Sequence, residues 1–397
     1  RERLAGEPHT RLRYQCSPYH ANSAFHPIIE QLQRAAGFAR DDTPETKLDK
    51  LERVLAQATN TVAAVAPLVA AMLSLPIARY PPLNLPPQKQ KENTIAALAD
   101  QALGLAAREP VLMIFEDAHW SDPTTLEALG AIIDRIQDAA VLMVIAYRPE
   151  FAPPWTGYGH VTGHTLNRLG RKLGADMVAK VTGAKALPDE VLDQIVAKTD
   201  GIPLFVEELT KAVLEAGFLT DEGGRYTLDG PLPPLAIPAT LRDSLMARLD
   251  RLSPVKEVAQ IGACIGREFS YDLLAAVSPF GDNGLQEALQ RLVNSELIFR
   301  RGAPPEASYT FKHAMIQDAA YESLLKGKRQ TLHRQIAEQL EARAPEDGET
   351  KPELLAHHYT AATLADRAVP YWLAAGKQAV SRSANQEAIA HLRHGLE

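Results

Sequence analysis

Two cysteines, Cys16 and Cys264, are all that 397 residues hold, and they lie far apart. That excludes a disulfide framework and a cysteine-built metal cluster. Long apolar runs are also lacking. The longest, near Thr61–Leu75, is short and carries Pro67, so no membrane span is expected. No signal peptide opens the chain, and a cytoplasmic protein is the expectation. An excess of base is lacking too. Lys and Arg number 42 against 49 Asp and Glu, for a net charge of −7. This argues against a broad surface for nucleic acid or membrane lipid, because binding phosphates needs a basic face. The locally dense Arg300, Arg301, Lys312, Lys326, Lys328, Arg329 and Arg334 read as a solvated face. Finally, no GxxxxGK[ST] occurs. Ala375-Gly376-Lys377-Gln378 has the Gly-Lys pair without the hydroxyl residue and falls in a helical pattern.

What is present is enough for two to four domains, with 46% apolar residues to fill their cores. Thr10–Cys16 alternates and stops at Ser17-Pro18, the pattern of a strand. Phe25, Ile28, Ile29, Leu32 and Ala36 recur at helical spacing, and Lys91–Ala107 reads as a further helix. Val111–Phe115 is wholly apolar. Glu116-Asp117 and a new helix start at Ser121 or Asp122 with Pro123 decide for a strand. A second apolar run, Val141–Tyr147, ends at Arg148-Pro149. Strand, helix, strand at this spacing predicts a βαβ unit and so a parallel sheet.

From Asp189 to Gly217 the pattern is helical, broken at Gly201-Ile202-Pro203. Residues 221–238 are rich in Gly and Pro and read as a linker. Short helices follow. Two alternating runs, Leu297–Arg301 and Ser308–Lys312, then predict a hairpin, so this part looks like a winged helix. In the tail, Trp372, Ala375, Gly376, Ala379, Ala388 and Leu392 match the spacing of a tetratricopeptide repeat, with Ala in place of its Leu and Tyr. A single such unit needs neighbours to bury its faces.

The chemistry centres on Glu116 and Asp117. Paired carboxylates at the carboxyl end of a buried parallel strand stand where α/β sheets bind ligands. A plain acidic turn with a capping role is the competing reading. His119 and Trp120 are read as packing residues, since a lone His is rarely a ligand. Arg148 ends the next strand, where its planar fork of donors suits a phosphate.

The run EDAHWSDPTTLEAL, followed by VLMVIAYRPEF, closely resembles the ATPase modules of large STAND signalling proteins. It is most similar to the AAA-type module that follows a class III adenylate/guanylate cyclase domain in bacterial proteins. RLRYQCSPYHANSAFHPIIEQL looks like the same subgroup. The resemblance implies an α/β P-loop NTPase core over 1–160, a helical lid over 161–230, a winged helix over 231–328 and a TPR-like tail over 329–397. It implies ATP or ADP with Mg²⁺ as ligands. Glu116 takes the place of the metal-holding aspartate, through water. Asp117 takes that of the acid that polarises the attacking water, and Arg148 that of the γ-phosphate sensor. Pro203 of Gly201-Ile202-Pro203 packs on the adenine. His313, in Phe311–Asp318, reaches the β-phosphate of ADP and holds an off state.

The expected function is a nucleotide-operated switch, an ATPase controlling an attached effector such as a nucleotide cyclase. Self-assembly or a protein ligand would act through the helical repeats, with no direct nucleic-acid contact and no membrane. The same module in a large LuxR-type regulator, or a non-enzymatic helical scaffold, remain alternatives. The chain opens Arg-Glu-Arg-Leu without Met and stops at Glu397 inside a helical pattern, so both ends are expected to be cuts. The phosphate-binding loop is then expected upstream, and this piece alone is expected to be inactive.

Overall fold

The computed structural model describes residues 6–39, 41–228, 238–347 and 351–397. The fold is mixed α/β, and the described residues divide between two compact units, Arg1–Gly163 with Leu340–Glu397, and His164–Gln339.

In the first unit the alternating Thr-Arg-Leu-Arg-Tyr-Gln forms β1 (Thr10–Gln15). Four helices follow: α1 (His26–Ala36), α2 (Pro44–Leu55), α3 (Val62–Met72) and α4 (Pro87–Ala106). Helix α1 stops at Gly37, whose φ of 64° suits a residue without Cβ. Thr43 caps α2, which buries Leu48, Leu51 and Leu55 on one stripe. Helix α4 begins at Pro87, ahead of the expected Lys91, because proline is well placed at a first helical position. Next come β2 (Val111–Glu116), a 3-10 turn over Ala118–Trp120, α5 (Pro123–Arg135) and β3 (Val141–Ile145).

The three strands form one sheet in the order β1-β2-β3, parallel throughout. Tyr14 lies opposite Phe115, and their rings stack at 4.1 Å between centroids, both buried. Strand β2 is central and buries Val111, Met113 and Phe115. Strand β3 lies at an edge, with Leu142 62% and Val144 46% exposed.

The second unit begins with α6 (Arg171–Val181), for which the sequence reading gives no periodicity although it falls in the expected helical range 161–230, then α7 (Asp189–Thr199) and α8 (Pro203–Leu214). A small hairpin, β4 (Leu219–Asp221) with β5 (Tyr226–Leu228), turns at Gly223, where φ is 84°. It occupies the start of the stretch expected to be linker; residues 229–237 of that stretch lie outside the described residues. Helices α9 (Leu241–Arg251) and α10 (Lys256–Ile265), strand β6 (Glu268–Ser270), helices α11 (Tyr271–Val277) and α12 (Asp282–Asn294) and strands β7 (Ile298–Arg301) and β8 (Ser308–Phe311) follow. The strands pair antiparallel in the order β6-β8-β7. Helix α13 (Ala314–Glu322) closes this part, and α14 (Lys326–Asp347) comes next. Arg248 of α9 is buried against Glu208 of α8 and donates to the Ser295 carbonyl at 2.8 Å. Losing one partner of such a buried pair costs about 3–5 kcal/mol.

The tail of the first unit is helical: α15 (Pro352–Ala361), α16 (Ala365–Ser381) and α17 (Asn385–His394). Helices α16 and α17 approach so closely at Gly376 that a Cβ there would sit 2.7 Å from the Leu392 side chain. Ala379 and Ala388 join the same apolar core as the sheet.

Candidate functional site

Glu116 is the last residue of β2, and Asp117 follows with φ 56° and ψ 39°, the left-handed region. A non-glycine residue there carries strain of about 1–3 kcal/mol, which the surroundings must hold in place. They do so through the backbone. Cys16 N–H donates to the Glu116 carbonyl at 3.0 Å, and Ala118 N–H to the Ala146 carbonyl at 2.9 Å. Asp122 then caps α5, accepting from the Thr125 amide at 2.8 Å and, with the same oxygen, from the Phe25 amide at 3.1 Å. Of the two readings for this helix start, Ser121 or Asp122, the structure selects Asp122.

Around this turn the side chains form a small polar group. Arg13 of β1 donates to Glu116 at 2.5 Å. The Arg148 guanidinium lies 5.9 Å from the Trp120 ring centroid, a cation–π spacing. The His119 ring packs on Trp120 at 5.0 Å, and both its nitrogens are buried without a hydrogen-bond partner. Burial first, then the Arg148 charge, pushes the His119 pKa down, so the ring is held neutral. Glu116 and Asp117 thus stand at the carboxyl end of β2, and Arg148 lies three residues beyond the end of the neighbouring β3, beside Trp120. The Cys16 thiol donates to or accepts from Ser121 at 3.0 Å, and burial raises its pKa to about 12, which makes it a packing residue.

Mg²⁺ takes one or two carboxylates, several waters and phosphate oxygens. Two adjacent carboxylates at a strand end fit that sparse set, with Arg13 as a competitor for Glu116. Among the described residues no three His, Cys, Asp or Glu converge as a transition-metal site requires.

Pro203 and His313 belong to the second unit. Gly201 has a φ of 68°, and a Cβ there would lie 2.1 Å from the Leu169 carbonyl oxygen. Glycine is therefore required, and Pro203 follows as the first residue of α8. His313 stands at the N-cap position of α13, separated from β8 by Lys312. Its Nε2 is buried with no partner. Burial, then Lys312, pushes its pKa down, with Glu207 opposing. Next to it, Lys312 and Lys211 both bind Glu207, at 2.7 and 2.8 Å, and both reach Glu296.

Sequence reading missed Arg13, whose alternation in β1 carries no mark of a partner, and it assigned His119 to packing although its ring nitrogens lack protein partners. It also missed Glu387 of α17, which is buried and accepts from the Thr124 amide at 2.9 Å. No local signal announces that contact, because the two residues are 263 positions apart.

No family model matches the chain. An uncharacterized protein of Rhizobium meliloti (strain 1021) is 30% identical over 321 residues, covering 79% of this chain. The chain spans 30% of the length of that relative.

Proposed function

We propose that the chain is the nucleotide-handling part of an ATP-operated signalling switch of the STAND class. The observation that carries this reading is the acidic pair Glu116-Asp117 on a strained turn at the carboxyl end of a parallel sheet, with Arg148 beyond the end of the next strand. Ligands bind α/β sheets at that end. In this reading Glu116 would hold Mg²⁺, which would supply charge neutralisation for the phosphates when bound. Asp117 orients and accepts a proton from the attacking water, and Arg148 reaches the transferring phosphoryl oxygens. Strand β3 ends the order β1-β2-β3 among the described residues, and this edge supports a further strand that would carry the phosphate-binding loop in this reading.

The β7–β8 hairpin after α12 supports a winged helix. His313 at its base, with an unpartnered buried nitrogen among Lys312, Lys211 and Arg267, supports an off state that reads ADP. The close pairing of α16 and α17 at Gly376 supports a repeat-like tail. The effector in this reading is a nucleotide cyclase or, in a LuxR-type regulator, a DNA-binding domain. The test is the melting temperature of the full gene product with Mg·ATP. Saturating nucleotide at about 100 times its Kd stabilises by about 2.7 kcal/mol, so a clear upward shift is expected. An unchanged melt with ATP or ADP overturns the reading in favour of a non-enzymatic scaffold.

A further inference from the structure

A cavity of about 260 Å³ opens in the first unit between residues that follow β1, the end of α3 and the tail helices. Its buried wall is apolar and includes Met72, Leu73 and Ala375. Its charged lining balances in sign, with Glu30 and Glu353 against Lys351 and Arg382. Arg382 donates to Ser74 at 2.5 Å, while Glu353 accepts from Ser23 at 3.2 Å. A cation and a carboxylate are thus fixed by different parts of the chain. His391, 4% exposed, also lines the cavity, and its Nδ1 is buried with no hydrogen-bond partner. A buried polar atom left this way is costly, and a ligand group meeting it would recover that cost.

We propose that this cavity binds a small zwitterion, an α-amino acid with an aliphatic side chain. A net anion would meet Glu30 and Glu353, and a net cation would meet Lys351 and Arg382. An apolar molecule would strip water from four charges without replacing it. A zwitterion satisfies both signs: its carboxylate on Arg382, its ammonium on Glu353 and on Nδ1 of His391. The imidazole is kept neutral by burial, so Nδ1 is able to accept. The aliphatic group lies on Met72, Leu73 and Ala375. The volume suits a metabolite and is below the range of about 300–1,000 Å³ that holds drug-sized ligands. Because the lining comes from both the sheet-bearing segment and the tail helices, binding would tighten their contact.

The experiment is calorimetric titration of this 397-residue chain with L-leucine, 4-methylpentanoate and 3-methylbutylamine. The last two carry the carboxylate alone and the ammonium alone. Leucine is expected to bind saturably, and each half-molecule at least about tenfold more weakly, a difference of 1.4 kcal/mol. Arg382→Gln and Glu353→Gln are each expected to weaken leucine by a similar factor with the ligand-free melting temperature unchanged. Should either variant melt early, Ala375→Leu, which fills the apolar wall, must abolish binding instead. No saturable heat with leucine, methionine or valine, or equal binding of leucine and its halves, overturns the proposal. No ATP is present, so a failure here leaves the nucleotide reading untouched.

Discussion

The Glu387 carboxylate accepts a hydrogen bond from the Thr124 amide at 2.9 Å, with Glu387 and Thr124 each 1% exposed. A tail helix thereby caps the helix that follows the acidic turn. The first amides of α5 have no partner within the helix. Asp122 takes the Thr125 amide, and Glu387 takes that of Thr124. Both carboxylates also gain from the positive end of the helix dipole. Burial raises the Asp122 pKa to about 7, with Glu387 adding to the rise.

Glu387→Ala leaves the Thr124 amide buried and unpaired. It is expected to cost about 1–3 kcal/mol of stability. Glu387→Gln keeps an acceptor and is expected to cost less, and to lower the pKa of Asp122 by removing a like charge. Urea unfolding of the three proteins checks the order. Equal stability of Glu387→Ala and wild type would mean the tail does not cap α5.

His20 stacks on His26 at 3.6 Å between centroids. Burial, then His26, Lys351, His357 and His358, holds its pKa well below the ordinary value of 6.5. Its hydroxyl neighbour is Ser23, and Glu30 binds the far side of the His26 ring. Below pH 6.5 the unfolded chain takes up a proton at His20 that the folded chain refuses, so this contribution to stability is present above pH 6.5 and lost as pH falls. His20→Asn is expected to flatten the fall in stability between about pH 6.5 and 5, by at most about 1.4 kcal/mol per pH unit. Denaturant midpoints across that range, for wild type and variant, give the comparison; parallel curves would count against a neutral His20.

The sheet was legible because its strands are marked locally. β2 and β3 are short apolar runs that end in a charged or Pro-bearing turn, and the helix between them starts with Asp122-Pro123. Strand β6 was not legible, because three residues carry no periodicity. Nor was the β4–β5 hairpin, hidden in a Gly-rich stretch. At the acidic turn the sequence marked Glu116, Asp117 and Arg148, which lie at or just beyond the carboxyl ends of the paired strands β2 and β3. It did not mark Arg13 or Glu387, whose partners are 103 and 263 residues away. Register and tertiary packing decide such pairs.

His313→Ala, in the full gene product, is expected to weaken ADP by roughly ten- to hundredfold and ATP much less, because a hydrogen bond to a charged group contributes about 1.5–3 kcal/mol. Calorimetric titration of ADP and a non-hydrolysable ATP analogue gives the ratio. An unchanged ratio with a lower melting temperature would make His313 a packing residue between β8 and α13.

The central claim is that the Glu116–Asp117 turn handles nucleotide, and Asp117→Asn in the full gene product tests it most directly. Binding of Mg·ATP and its turnover are measured on the same preparation. The expected result is near-normal binding with turnover lowered by 100-fold or more, about 2.7 kcal/mol or greater, since Asp117 acts on the water and not on the phosphates. Turnover equal to wild type, with binding intact, would contradict it.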